Sequence, residues 1–111
     1  MKIKIAIDFS KTPGARYESE GDYSGIDFRE NILYPKLLEA IQKKEKLVID
    51  LDGTAGLGTS FLEESFGGLI RVNKLEFNKI NEFIEFISIE DEDYIDEINE
   101  YLKEAHEKEN K

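Results

Sequence analysis

The chain has 111 residues, no cysteine and a formal net charge of −10 at pH 7, a length that suits one domain with one core. The missing thiols exclude disulfides, thiol catalysis and thiolate metal sites. No apolar run approaches the roughly 20 residues that a membrane helix needs. Met1 leads directly into an alternating stretch without a signal peptide. We therefore expect a cytoplasmic protein with no membrane association and a single domain over residues 1–111.

The negative charge is concentrated in the last third of the chain. Residues 1–74 hold 11 basic and 12 acidic side chains, whereas residues 75–111 hold 4 basic and 13 acidic ones. Such a surface repels a phosphate backbone, which argues against nucleic-acid binding. Two interpretations stay open: a solvated helix face that promotes solubility, and an acidic surface that docks on a basic partner.

The first elements follow from periodicity and turn residues. Residues 2–9 alternate apolar and polar positions, which predicts a strand, and residues 15–19 are expected to return as a short antiparallel strand. Ser24 is the expected N-cap of a helix, with Asp27 completing a capping box. The helical region from Gly25 to Lys44 contains Pro35, which predicts a kink or two short helices.

Strands and helices then alternate. Residues 47–51 and 83–87 read as buried strands, and a helix is expected from Ser60 to about Val72. An acidic C-terminal helix over about 90–108 would be capped by Ser88 or Asp91. The order β-β-α-β-α-β-α predicts an α/β domain with a mixed, mostly parallel sheet of about four strands and helices packed on it.

A glycine-punctuated turn leads from the second of these strands to Thr59 and Ser60. Hydroxyl groups would lie there beside unpaired N–H groups at the start of a helix, which can hold an anion. Ser60 and Glu63 form an S-x-x-E capping-box pattern. Because Thr59 is expected just outside the helix, it is the better candidate phosphoacceptor, with Ser60 the second.

The following helix offers a surface beside these hydroxyls. Gly67 and Gly68 disfavour a helix by about 1 kcal/mol each relative to alanine, which indicates either close packing of this helix or a flat patch for a partner helix. The outward positions are either a solvated face or a recognition surface. The candidate partner surface comprises Gly58, Thr59, Ser60, Glu63, Glu64, Gly67 and Arg71.

Two arginines form a separate candidate site. Arg16 and Arg29 fall near a loop and near the start of a helix, where together they would hold a phosphate or a carboxylate. In the other interpretation they tie loops to nearby carboxylates such as Asp27 or Glu30.

Enzymatic chemistry finds little support in the sequence. His106 stands alone in the polar tail, and residues 53–58 lack the Gly-Lys-Ser/Thr ending of a phosphate loop. No metal-ligand or Ser-His-Asp pattern is present, so we expect a non-enzymatic protein with no metal and no cofactor.

Four segments carry a resemblance to a known family: 14–17 (GARY), 23–30 (YSGIDFRE), 48–53 (VIDLDG) and 59–69 (TSFLEESFGGL). They resemble the STAS-like family of uncharacterised prokaryotic proteins, itself similar to the STAS domains of anti-sigma factor antagonists. In those antagonists a kinase phosphorylates a serine at the strand-to-helix junction and so switches partner binding. The resemblance places Thr59 at the acceptor position, with Gly58 and Phe61 in place of the flanking aspartate and glycine of the antagonists' motif.

Two hypotheses follow. In the first, the protein is a regulatory module that binds another protein, such as a histidine-kinase-like ATPase, in the manner of a partner-switching antagonist. In the second, it is a small anion- or nucleotide-binding domain that uses Arg16, Arg29 and the helix start at Thr59 and Ser60.

Overall fold

The structure, a computed structural model, describes residues 1–14, 19, 21 and 23–110. Within this part of the chain, three parallel strands form a sheet in the order β1 (Lys2–Lys4), β2 (Leu47–Asp50) and β3 (Ile84–Ile87). The central strand β2 pairs with β1 on one side and with β3 on the other. The α/β class is therefore confirmed. The strand predicted over 15–19 falls largely on residues 15–18, which lie outside the described residues.

The first strand is shorter than predicted. It ends at Lys4, and the helical turn α1 (Ile5–Asp8) follows directly. The Asp8 carboxylate accepts a hydrogen bond of 2.8 Å from the Lys4 N–H, and this contact turns the backbone away from the sheet. The prediction of a strand over residues 2–9 was wrong because alternation cannot show where such a side-chain contact ends a strand.

Helix α2 runs without interruption through three segments, Gly25–Phe28, Arg29–Leu33 and Tyr34–Lys43, of which the second is π-helical. Ser24 caps its start as predicted, since its hydroxyl accepts from the Asp27 N–H at 3.1 Å. The Asp27 carboxylate does not complete the box; it accepts from Asn31. Pro35 has no N–H to donate, and the wider π turn before it takes the place of the predicted kink.

Helix α3 is built in the same way, from Thr59–Leu62, a π segment Glu63–Gly67, and Gly68–Arg71. Its predicted apolar arc is confirmed, because the side chains on it are buried: Phe61, Leu62, Phe66, Leu69 and Ile70. A π turn holds one residue more than an α turn. The polar positions after it are therefore rotated relative to an ideal helical wheel.

Two further helices complete the described chain. Helix α4 (Phe77–Phe83) leads directly into β3 and was not predicted, although Phe77, Ile80 and Phe83 recur at helical spacing. Helix α5 (Asp93–Glu109) is the predicted C-terminal helix, displaced by a few residues at its start. Of its two predicted caps, Asp91 has a side chain that accepts from the Asp93 N–H at 3.1 Å. Helix α5 packs on α3, which in turn packs on α2.

An aromatic cluster joins the loop after β1 to the helices. The ring of Phe9 lies 5.2 Å from that of Phe28 and 6.0 Å from that of Phe61, centroid to centroid. Phe28 and Phe61 are themselves 5.6 Å apart and fully buried. The starts of α2 and α3 are therefore fixed against the end of β1 by apolar contact.

A buried ion pair joins the π segments of α2 and α3. The Arg29 side chain is only 2% exposed. Its Nη1 donates to the Glu64 carboxylate at 2.9 Å and to the Glu64 carbonyl at 2.6 Å. The guanidinium lies directly over Gly68, where a Cβ would stand 2.0 Å from Nη1. Close packing against α2 therefore accounts for the glycine at position 68, as predicted. A Cβ at Gly67 would instead meet the Glu63 carboxylate of its own helix, at 2.5 Å.

We expect Gly68→Ala to lower the free energy of unfolding by about 2 kcal/mol or more, because overpacking or displacement of a buried ion pair costs that much. In an unobstructed helix the same change would stabilise the protein by about 0.4–1 kcal/mol. Urea denaturation measures the difference. Gly58→Ala is the control for the added methyl group, since a Cβ at Gly58 meets nothing within 4 Å; because Gly58 is the N-cap of α3, this change is expected to cost at most about 1 kcal/mol. A Gly68→Ala variant as stable as the wild type would contradict this packing.

A second electrostatic contact ties β1 to β2. The Asp50 carboxylate is buried and lies 3.2 Å from the Lys4 ammonium group and 3.8 Å from that of Lys2. Burial by itself raises the pKa of Asp50. The hydrogen bond from the Asp52 N–H and the two lysine charges outweigh it, so the pKa of Asp50 lies below its ordinary value of 3.8.

Asp50→Asn is expected to lower stability at pH 7 and to have a smaller effect at pH 3. A carboxyl group with a depressed folded-state pKa stabilises the protein above its unfolded pKa, and this contribution disappears as the pH falls through the folded value. Urea denaturation of both proteins from pH 7 to pH 3 tests this. Asp96→Asn, on an exposed part of α5, controls for the loss of one carboxylate. A constant difference between Asp50→Asn and wild type across this range would refute the assignment.

Candidate functional site

The strand-to-helix junction places Thr59 and Ser60 in solvent. Helix α3 begins at Thr59, and Gly58 is its N-cap with extended backbone and no side-chain capping bond. Both hydroxyl residues are exposed. The predicted N-cap role of Ser60 and the predicted position of Thr59 just outside the helix were therefore wrong, since the helix begins at Thr59 and both residues lie in its first turn.

The Glu63 carboxylate is held by a different partner from the one that the capping box implied. It accepts two hydrogen bonds from the Arg71 guanidinium, at 2.7 and 3.2 Å. The same guanidinium donates to the second oxygen of Glu64 at 3.1 Å. Charge-assisted bonds of this kind are stronger than a bond to a neutral N–H, which explains why Glu63 faces Arg71 and not the start of the helix.

The predicted partner surface divides into exposed and buried members. Gly58, Thr59 and Ser60 are exposed, and the side chains of Glu63 and Arg71 are 20% and 40% exposed. Glu64 and Gly67, by contrast, are buried. Their assignment to the outer surface is corrected. The Glu64 carboxylate turns towards the Arg29 side chain of α2, whereas Gly67 lies beneath the Glu63 and Arg71 side chains, since a Cβ there would stand 2.5 Å from the Glu63 carboxylate and 3.6 Å from the Arg71 guanidinium.

The predicted anion site is not supported at Arg29. Its guanidinium is buried and already satisfied by Glu64, and its Nη2 lies 3.2 Å from the Glu30 carboxylate. The alternative interpretation, in which Arg29 ties its surroundings to a nearby carboxylate such as Glu30, is confirmed. Arg16 lies outside the described residues.

Two tyrosines of α5 border the junction and were not predicted to belong to it. The Tyr94 hydroxyl accepts a hydrogen bond of 3.1 Å from the N–H of Leu57, the buried residue before Gly58. Tyr101 interacts with the Thr59 side chain. Burial and the nearby carboxylates of Glu97 and Glu104 raise the pKa of Tyr101 against the opposing effect of Thr59. The helical spacing of Tyr94 and Tyr101 predicted that both face the core. Their contacts with Leu57 and Thr59 became visible only once the packing of α5 on α3 was known.

The junction belongs to a larger surface, formed by the loops that leave the carboxyl ends of the three strands (segments 5–12, 51–58 and 88–92), which we call the loop edge. The Asp52 carboxylate accepts from the N–H groups of Ile89 at 3.1 Å and Glu90 at 2.9 Å. On the other side, the Ala55 N–H donates to the Lys11 carbonyl at 2.7 Å. Asp52 therefore braces the turn after β2, and the three loops form one connected surface.

The chemistry that this surface offers is hydrogen bonding and charge. Among the described residues, no group of three or more His, Asp or Glu side chains could hold a metal ion. His106 lies away from the junction and stacks on Phe77 with 4.6 Å between ring centroids, beside an open cavity of about 270 Å³. No helix of the described chain combines the length and the apolar character needed to cross a bilayer.

We expect Tyr94→Phe to destabilise the protein by about 1 kcal/mol, because the buried Leu57 N–H then loses its partner. The Leu57 amide should also exchange faster with deuterium in NMR experiments. Tyr101→Phe is the matched control, since it removes a hydroxyl from the same helix without touching Leu57. Unchanged Leu57 protection in Tyr94→Phe would refute the role of Tyr94 in holding this loop.

Comparison with known proteins adds one finding to this geometry. Residues 24–94, more than half of the chain, match the family model described as a STAS-like domain of unknown function. The match includes α2, β2, the junction and α3. No curated protein and no solved structure matches the chain. The chain therefore belongs to the family of STAS-like domains of unknown function.

Proposed function

We propose that this protein is a non-enzymatic regulatory module that binds another protein through the start of α3. The observation that carries the proposal is the exposure of Thr59 and Ser60 in the first turn of a helix with no side-chain cap. The first N–H groups of a helix have no partner within the helix. Hydroxyls and N–H groups are therefore available together to an approaching macromolecule.

The same position suits reversible modification. A phosphate adds about −1.5 to −2 charges at neutral pH and is favoured electrostatically near the start of a helix. Thr59 is the acceptor that we propose, because the family resemblance places it at the acceptor position, and its side chain also interacts with Tyr101 of α5. A change at Thr59 would therefore reach a second element of the fold as well as the surface.

The partner that we propose is a histidine-kinase-like ATPase, by analogy with the partner-switching antagonists that the family resembles. The contact surface comprises Gly58, Thr59 and Ser60 with the exposed parts of Glu63 and Arg71. We favour this role over the anion-binding hypothesis, because that hypothesis needs the Arg29 guanidinium, which is already paired with Glu64 within the protein.

The test is titration calorimetry with an ATPase of this class encoded beside the protein. We expect a complex whose affinity falls at least about tenfold in Ser60→Arg, because a bulky charge then occupies the contact. Gln42→Arg, the same type of change at an exposed position of α2, should bind as the wild type does. With ATP present, mass spectrometry should find one added phosphate, which Thr59→Val abolishes.

Two results would contradict the proposal. The first is the absence of any complex with the ATPase in the presence and absence of nucleotide. The second is a complex that Ser60→Arg and Gln42→Arg weaken equally, since the contact would then lie elsewhere. Melting curves of each variant show that a lost complex is not a lost fold.

A further inference from the structure

Two isoleucines on the loop edge are almost fully in solvent. Ile7 is 72% exposed and Ile89 is 82% exposed, the highest values among the exposed large apolar side chains of the described chain. Ile7 belongs to the alternating pattern of residues 2–9, which would have buried it in a strand. The turn α1 carries it outward instead. Single exposed apolar residues are common on protein surfaces. Exposure alone therefore does not indicate a binding site, which depends also on where the two isoleucines lie and on how rigidly their segments are held.

Both isoleucines lie at the same end of the sheet. Lys4 of β1 and Ile87 of β3 pair with the same residue of β2, Asp50. The loops that carry Ile7 and Ile89 therefore leave the sheet at one level, on either side of the loop that leads to Thr59. Two strand spacings separate them at the sheet, about 10 Å. A single protein interface is wider than this distance, so one partner can contact both loops.

Each isoleucine is carried by a segment fixed by hydrogen bonds. The N–H of Ile89 donates to the Asp52 carboxylate, and the buried Ser88 hydroxyl donates to the Asp91 carbonyl. On the other side, the N–H groups of Phe9 and Ser10 both donate to the Ile5 carbonyl. A partner would therefore meet apolar groups that are already ordered, which reduces the entropy lost on binding.

The charged side chains around the two isoleucines indicate the charge of the partner's contact surface. Segments 7–11 and 89–93 expose five acidic side chains, Asp8, Glu90, Asp91, Glu92 and Asp93, and one basic side chain, Lys11. Like charge disfavours a second copy of this chain, an anionic membrane and nucleic acid at this surface. We propose that Ile7 and Ile89 are twin apolar anchors for a protein whose contact face holds two apolar pockets within a basic rim. This inference rests on the proposed protein-binding function and names the chemistry of the partner.

The experiment places a photoreactive benzoylphenylalanine at position 7 or 89 of the full chain in its native cells. We expect both positions to cross-link to one and the same protein, through peptides rich in lysine and arginine. Ile89→Ser should lower the adduct yield from position 7 about tenfold, as expected for loss of a buried anchor, and Ile7→Ser should do the same from position 89. Leu38→Ser, at an exposed apolar residue of α2, should leave both yields unchanged.

Several outcomes would overturn the inference: no adduct from either position, different proteins from the two positions, adducts to a second copy of the chain, or cross-linked peptides that are acidic. Melting curves establish that the serine variants fold. The same probe at position 60 separates the two proposals. An adduct from position 60 alone refutes the isoleucine anchors and leaves the proposed function intact, whereas adducts from positions 7 and 89 alone refute the contact at the start of α3.

Discussion

The buried ion pair between Arg29 and Glu64 is the interaction on which the arrangement of α2 and α3 depends. Removing one partner of such a pair leaves an uncompensated buried charge, at a cost of about 3–5 kcal/mol. The pair also explains a set of small residues. A Cβ at Gly68 would stand 2.0 Å from the Arg29 Nη1 atom, and a Cβ at Gly25 would stand 2.9 Å from the Cβ of Glu64. The glycines let the two helices approach closely enough for the charges to meet, and both charged residues lie in π segments.

This constraint sets the direction in which the junction faces. The π segment of α3 is held against α2 by the ion pair and against α5 by packing, so the first turn of α3 extends from a fixed base. Arg71 extends the network to the surface, because it binds both Glu63 and Glu64. The middle of α3 therefore holds a buried ion pair, whereas its first turn, with Thr59 and Ser60, is exposed. A surface presented from such a base is already ordered when a partner arrives, which favours binding.

The sequence predicted what depends on regular periodicity and missed what depends on a single contact. The apolar arc of α3, the strands β2 and β3 and the helix α5 follow from spacing alone. The strand over residues 2–9 was wrong because the Asp8 carboxylate ends it at Lys4. Glu64 and Gly67 were placed outside because an ideal wheel turns about 100° per residue and cannot show where a π turn adds one. Arg29 illustrates the same limit, since its partner lies 35 residues away and only the packing of two helices brings them together.

The charge of the loop edge bears on how a switch at Thr59 would operate. A phosphate there adds negative charge beside a surface that is already acidic, and long-range attraction to a basic partner would therefore increase. Release of such a partner would require a short-range effect: a phosphate pressed into a closely packed contact loses its hydration and occupies space that the partner needs. The two effects differ in their response to salt, because screening weakens distant attraction much more than a buried clash. The salt dependence of binding would then indicate whether Thr59 lies at the rim of the contact, where modification strengthens it, or at its centre, where modification breaks it.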